Sequence, residues 1–152
     1  MFDNIDDIYN HIGQSMFEAI SDEWSRAWLV AVMEKPGSSI SFVQQFISSS
    51  GDVKNYSVNK RDGQPYDSKV SDAFYDLYNL MKGSSKESPW NKARFEVTSE
   101  GDFEVNFKFD EDFSWYKSLD IDSEEYDNLD IDIINQIKSW EGLPEEAPRY
   151  WK

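Results

Sequence analysis

The longest strongly apolar run in the chain, Ala27 to Met33, sets the first limit on its fold. Seven consecutive apolar residues, partly β-branched, leave no polar face for water, so the run reads as a strand buried on both faces. It is far too short to span a bilayer. Pro36-Gly37-Ser38-Ser39 supplies a turn, Ile40 to Ile47 the antiparallel return strand, and Val53 to Val58 a weaker third strand.

An amphipathic helix precedes this run. Ile5, Ile8, Tyr9, Ile12, Met16 and Ile20 recur at i, i+3, i+4 and form one apolar stripe. Asp3 or Asn4 caps its start, Asp6 and Asp7 suit the positive end of its dipole, and Ser21-Asp22-Glu23 ends or interrupts it. After a loop at Asn59 to Pro65, a second helix starts near Asp67 or Ser68. It carries Val70, Ala73, Phe74, Leu77, Tyr78 and Met81 on one face and stops at Gly83. A hairpin follows the polar connector Ser84 to Pro89. Phe95 and Val97, then Phe103, Val105, Phe107 and Phe109, alternate with polar residues, so one face is expected buried and one wet.

Asp110 to Asp122 reads as an acidic loop, and a third helix is expected from about Ser123. Its inner stripe is Tyr126, Leu129, Ile133, Ile137 and Trp140, with Gly142 and Pro144 closing it. No internal repeat or low-complexity block is evident. The order α-β-β-β-α-β-β-α predicts an α+β fold, an antiparallel sheet of about five strands packed with helices. At 152 residues the chain reads as a single domain, with a short tail at residues 145–152.

Charge narrows the function. Thirty Asp and Glu against fifteen Lys and Arg give −15. Such a chain repels phosphate backbones and anionic membrane surfaces, so neither nucleic acid nor membrane is an expected partner. The opening Met1 to Asn4 does not read as a signal peptide. Absence of cysteine excludes disulfides, thiol catalysis and Cys-ligated zinc and fits a cytoplasmic protein. Between Glu96 and Asp132 fourteen acids face two bases, Lys108 and Lys117, so this quarter of the chain holds −12 of the total.

Little catalytic chemistry is visible. His11, the sole histidine, lies on the flank of the first helix and reads as solvated. P-loop, nucleophile-elbow and Rossmann patterns are missing, so no catalytic, cofactor-binding or metal-ligating residue is assigned and no enzyme is expected. Asp120-Ile121-Asp122-Ser123-Glu124 has the odd spacing of a calcium loop. An EF-hand fails there, because Glu125 stands where glycine is needed and Ile131 where a bidentate Glu is needed. A divalent-cation-responsive acidic module is the alternative reading of the same carboxylates. Twelve net charges exceed what solubility asks for, and aromatics interleave with the acids. That pattern predicts a protein-binding surface of Asp110, Glu111, Asp112, Trp115, Tyr116, Asp120, Asp122, Glu124, Glu125, Tyr126 and Asp127, with charge steering a cationic partner and aromatics holding it. Phe113 and Trp115 read equally well as plugs closing the core.

Ile8-Tyr9-Asn10-His11-Ile12, Trp24, Phe74-Tyr75-Asp76-Leu77-Tyr78, Pro89-Trp90-Asn91, Gly101-Asp102-Phe103 and Phe107-Lys108-Phe109-Asp110 together resemble the YezG-like antitoxins, small immunity proteins that accompany bacterial polymorphic toxins. The resemblance implies an α+β fold and cytosolic neutralisation of a cognate toxin, often a nuclease, and it carries no catalytic residues. Family members often end in a tryptophan-bearing basic helix. Here Gln136 to Glu141 is less basic, and an extra acidic stretch precedes it.

Overall fold

A computed structural model describes residues 4–21, 23–35, 39–58 and 68–147. The Pro36-Gly37-Ser38 turn, the Asn59 to Pro65 loop, Asp22, Asp67 and the Tyr150-Trp151 pair fall outside those residues. The apolar run forms the middle of β1 (Trp24–Lys35), the central strand of a five-stranded antiparallel sheet. β2 (Ser39–Ser48) pairs on one side of it and β4 (Lys92–Thr98) on the other. β3 (Val53–Asn55) and β5 (Phe103–Lys108) are the edges, giving the order β3-β2-β1-β4-β5.

Register assigns the alternate residues of these strands to opposite layers. Leu29 lies between Gln44 and Phe95, and Ala31 between Phe42 and Ala93, all on one face. That face is covered by α1 (Ile5–Ala19) and α2 (Lys69–Lys82), whose Ile8, Ile12, Met16, Phe74 and Leu77 are fully buried against it. Asn4 caps α1: its Oδ1 accepts from the Asp7 amide at 2.9 Å and its amide group donates back to the Asp7 carboxylate. Burying each of these large side chains contributes about 1.5–3 kcal/mol, so this layer is the main source of stability.

The opposite face of β1 carries Val30 and Val32, and a second apolar cluster forms over them. Its cover is α3 (Glu111–Ser118), α4 (Glu124–Asp127) and α5 (Ile131–Lys138). The two-sided burial expected of Ala27 to Met33 therefore has a concrete cause, a sheet with helices on both sides.

Five local expectations are corrected. Residues 111–118, read as loop, are helical, because both amides at the start of α3 find the Asp110 carboxylate while Phe113 and Tyr116, three residues apart, bury together. The single third helix is two, because the Asp130 side chain takes the Asp132 amide at 2.9 Å and starts α5 afresh. α5 then ends at Ser139, before Gly142. The wet face expected of the β4–β5 hairpin is partly dry, since Lys92 on that face is fully buried beneath the C-terminal helices. His11, expected in solvent, is half-buried.

Candidate partner-binding site

The acidic region is joined to the sheet by three consecutive residues at the start of β4. Trp90 is fully buried among the rings of Phe74, Tyr78 and Phe107 in the first core. Asn91 clamps the backbone of Asp110 in both directions: its Nδ2 donates to the Asp110 carbonyl at 2.9 Å, and its Oδ1 accepts from the Asp110 amide at 2.8 Å. Lys92 sends its side chain to the opposite face. Its Nζ donates to Asp110 Oδ2 at 2.6 Å, to the Ile137 carbonyl at 2.7 Å and to the Ser139 carbonyl at 2.6 Å.

A buried ammonium costs several kcal/mol of hydration unless its protons are all taken up. Here three donors meet three acceptors, and two of those are carbonyls at the C-terminal end of α5, where the helix dipole favours a cation. Burial pulls the Lys92 ammonium below the usual lysine range, and the Asp110 carboxylate opposes that pull. Asp110 meanwhile caps α3 with its other oxygen, accepting from the Asp112 amide at 2.9 Å and the Phe113 amide at 3.2 Å. One carboxylate thus ties the start of α3, and one ammonium the end of α5, to the same strand.

Gly142 belongs to this joint. Its φ is +74°, and a Cβ there would lie 2.6 Å from Asp110 Oδ2, so neither backbone nor space admits a side chain. Two further contacts fasten the layer. Lys117 of α3 pairs with Glu34 of β1 at 2.9 Å, and the Lys108 ammonium sits 4.5 Å from the centre of the Trp140 ring.

The residues singled out for binding divide into two groups. Asp112 and Tyr116 are buried, Asp110 is half-buried in the joint, and Trp115 and Tyr126 are half-buried against the second core. The Tyr116 and Tyr126 rings stack at 6.0 Å. The Tyr116 hydroxyl is pushed up to about 12 by burial, with Tyr126 and Glu34 adding to the shift. These aromatics hold the layer together. Phe113, at 1% exposure, is the plug that the sequence suggested. Glu111, Asp120, Asp122, Glu124, Glu125 and Asp127 are exposed.

Part of this acidity has a local cause. Asp110, Ser123 and Asp130 cap the three helices, and Glu111, Asp112, Glu124, Glu125 and Asp132 occupy first turns, where the dipole favours negative charge. The Asp120 carboxylate accepts from the Asp122 amide at 2.9 Å, making a turn. Among the described residues no group of three or more His, Asp or Glu is placed to hold a metal ion, and no helix is long and apolar enough to cross a membrane.

Sequence reasoning missed two elements of this region. Lys92 gave no signal beyond being a lysine in an alternating strand, and its burial follows from a layer whose helices were not all foreseen. A short repeat did leave a signal: Leu119-Asp120-Ile121-Asp122 returns ten residues later as Leu129-Asp130-Ile131-Asp132.

Helices lie on both sheet faces, Asn91, Lys92 and Asp110 are spent on the joint, and most acids of residues 111–132 are exposed. The model of the family described as Immunity protein YezG-like matches residues 5–150, and the chain belongs to that family of immunity proteins. It is also similar to the Type VII secretion system protein EsaG of Staphylococcus aureus (strain NCTC 8325 / PS 47), with 27% identity over 109 residues. That match covers 67% of this chain and 66% of the relative, so the chain spans just under two thirds of that protein's length.

Proposed function

We propose that this protein neutralises a cognate bacterial toxin domain in the cytoplasm by binding it, without chemistry of its own, through the exposed carboxylates of residues 110–132. The toxin would be cationic, as a nuclease is, because a domain that grips phosphate must present positive charge. The observation that carries this reading is the run Asp120, Asp122, Glu124, Glu125 and Asp127: five exposed carboxylates within eight residues, on a layer tied to the sheet through Lys92 and Asp110. Membership in an immunity family supplies the partner class, and the similarity to a type VII secretion protein agrees with it.

A rigid acidic surface accelerates encounter with a basic one, and the capture weakens as salt screens it. The test is co-expression with the toxin domain that co-purifies with this chain from its native host. Growth arrested by the toxin should be restored by the wild-type chain and by a folded Lys54→Ala control. Restoration should fail, or demand much higher expression, when Asp120, Asp122, Glu124 and Glu125 are all changed to Lys. Full protection by that folded variant would place the contact elsewhere.

A further inference from the structure

We infer that Ile121 and Ile131 are the apolar anchors of the toxin-binding surface, a pair of equivalent prongs that enter two apolar sockets rimmed by basic side chains on the partner. The inference rests on the immunity reading above and names the contacts through which it would act.

The two Leu-Asp-Ile-Asp segments share two local contacts, although Ile131 opens α5 while Ile121 lies in the turn before α4. In each, the leucine (Leu119 or Leu129) packs against the second core. The first aspartate accepts from the amide two residues on, Asp120 from Asp122 and Asp130 from Asp132, at 2.9 Å in both cases. The isoleucine between them is left in water. At 68% and 64% exposure, Ile121 and Ile131 are the two most exposed large apolar side chains among the described residues. The aromatics of the same region point the other way, since Phe113 and Tyr116 are buried and Trp115 and Tyr126 half-buried.

Acids alone make a solvated face. An exposed isoleucine fixed between two aspartates, and made twice, is a different composition. The leucine contact and the aspartate–amide hydrogen bond restrain the backbone on either side of each isoleucine, which lowers the ordering cost of docking. Apolar centre and charged rim is the pattern of an interface hot spot. The flanking carboxylates fix the chemistry of the other side: an apolar pocket for the isoleucine, with Lys or Arg around it, and not an anionic or purely apolar surface.

Binding kinetics of the purified, catalytically inactivated toxin domain that co-purifies with this chain from its native host give the test. Ile121→Ser with Ile131→Ser should leave the melting temperature unchanged and the association rate within about two-fold of wild type, while dissociation quickens roughly ten-fold or more. Asp122→Asn with Asp132→Asn, which spares both turn-forming aspartates, should chiefly slow association and flatten its salt dependence. Wild-type dissociation from the serine variant, alongside a slowed asparagine variant, would overturn the anchors while leaving the acidic surface in place. Wild-type behaviour of both variants would overturn the surface as well, and no binding by the wild-type chain would remove the immunity reading for that toxin.

Discussion

Lys92 shows how much one buried charge can organise. It lies in a strand whose alternate residues build the first core, yet its own side chain crosses to the second and meets three oxygens there. Lys92→Met would fill similar space and leave the Asp110 carboxylate and two carbonyls without that partner. The expected loss is about 3–5 kcal/mol of unfolding free energy, read by denaturant titration. Adding Asp110→Asn should cost less than the sum of the two single changes, because both act on one contact. Gly142→Ala should cost about 1–3 kcal/mol through its positive φ and the nearby carboxylate. A cost below about 0.5 kcal/mol for either single change would show that the joint bears little of the fold's stability. None of this could be read from the chain, since a lysine flanked by Asn91 and Ala93 gives no sign of the acceptors that wait 45 and 47 residues later.

At the scale of elements, legibility followed the strength of the periodic signal. α1 and α2 each display an apolar stripe over several turns, and both form where that stripe begins and ends. β1 was legible because a run with no polar face has few places to go. α3 was not, because eight residues with three charges and two serines bury only Asp112, Phe113 and Tyr116, too short a pattern to show a period. Its helicity comes from the Asp110 cap and from the core beneath it. The split between α4 and α5 was hidden for a related reason: Tyr126, Leu129, Ile133, Ile137 and Trp140 keep a helical spacing across the break, and all five do pack in the second cluster. The candidate site divided in the same way. Its location and charge were legible, whereas the inward direction of Trp115 and Tyr116 depended on a helix the sequence did not announce.

Tyr116 gives this layer a pH response with a definite sign. Its hydroxyl is raised from 10.0 to about 12 in the folded protein, so the folded state holds that proton more tightly than the unfolded chain does. The resulting stabilisation is complete below pH 10 and is lost as the pH climbs to 12. Comparing denaturation of wild type and Tyr116→Phe isolates the effect, because other groups titrate in both. The difference in stability should shift in favour of the Phe variant across that window, and a constant difference would show that the hydroxyl is not held as the packing implies.

For the whole molecule, the sheet acts as a platform with unlike sides. α1 and α2 close one face with the larger core, and the acidic helices close the other through a polar joint and a smaller core. The segment from Glu96 to Asp132 carries −12; its exposed acids from Glu111 onward lie on the layer that the joint fixes in position, while Glu100, Asp102 and Glu104 lie on the β4–β5 hairpin. Such an arrangement predicts capture that is fast at low ionic strength and selective for a basic partner, with the apolar contacts deciding how long the complex lasts. Steering by the carboxylates of residues 110–132 is tested most directly by the association rate of the cognate toxin domain, measured across a salt series for wild type and for the variant with Asp120, Asp122, Glu124 and Glu125 changed to Lys. It predicts a wild-type rate that falls steeply with salt and a variant roughly ten-fold or more slower at low salt, the two converging as salt rises. Equal rates at low salt, with the variant folded, would contradict it.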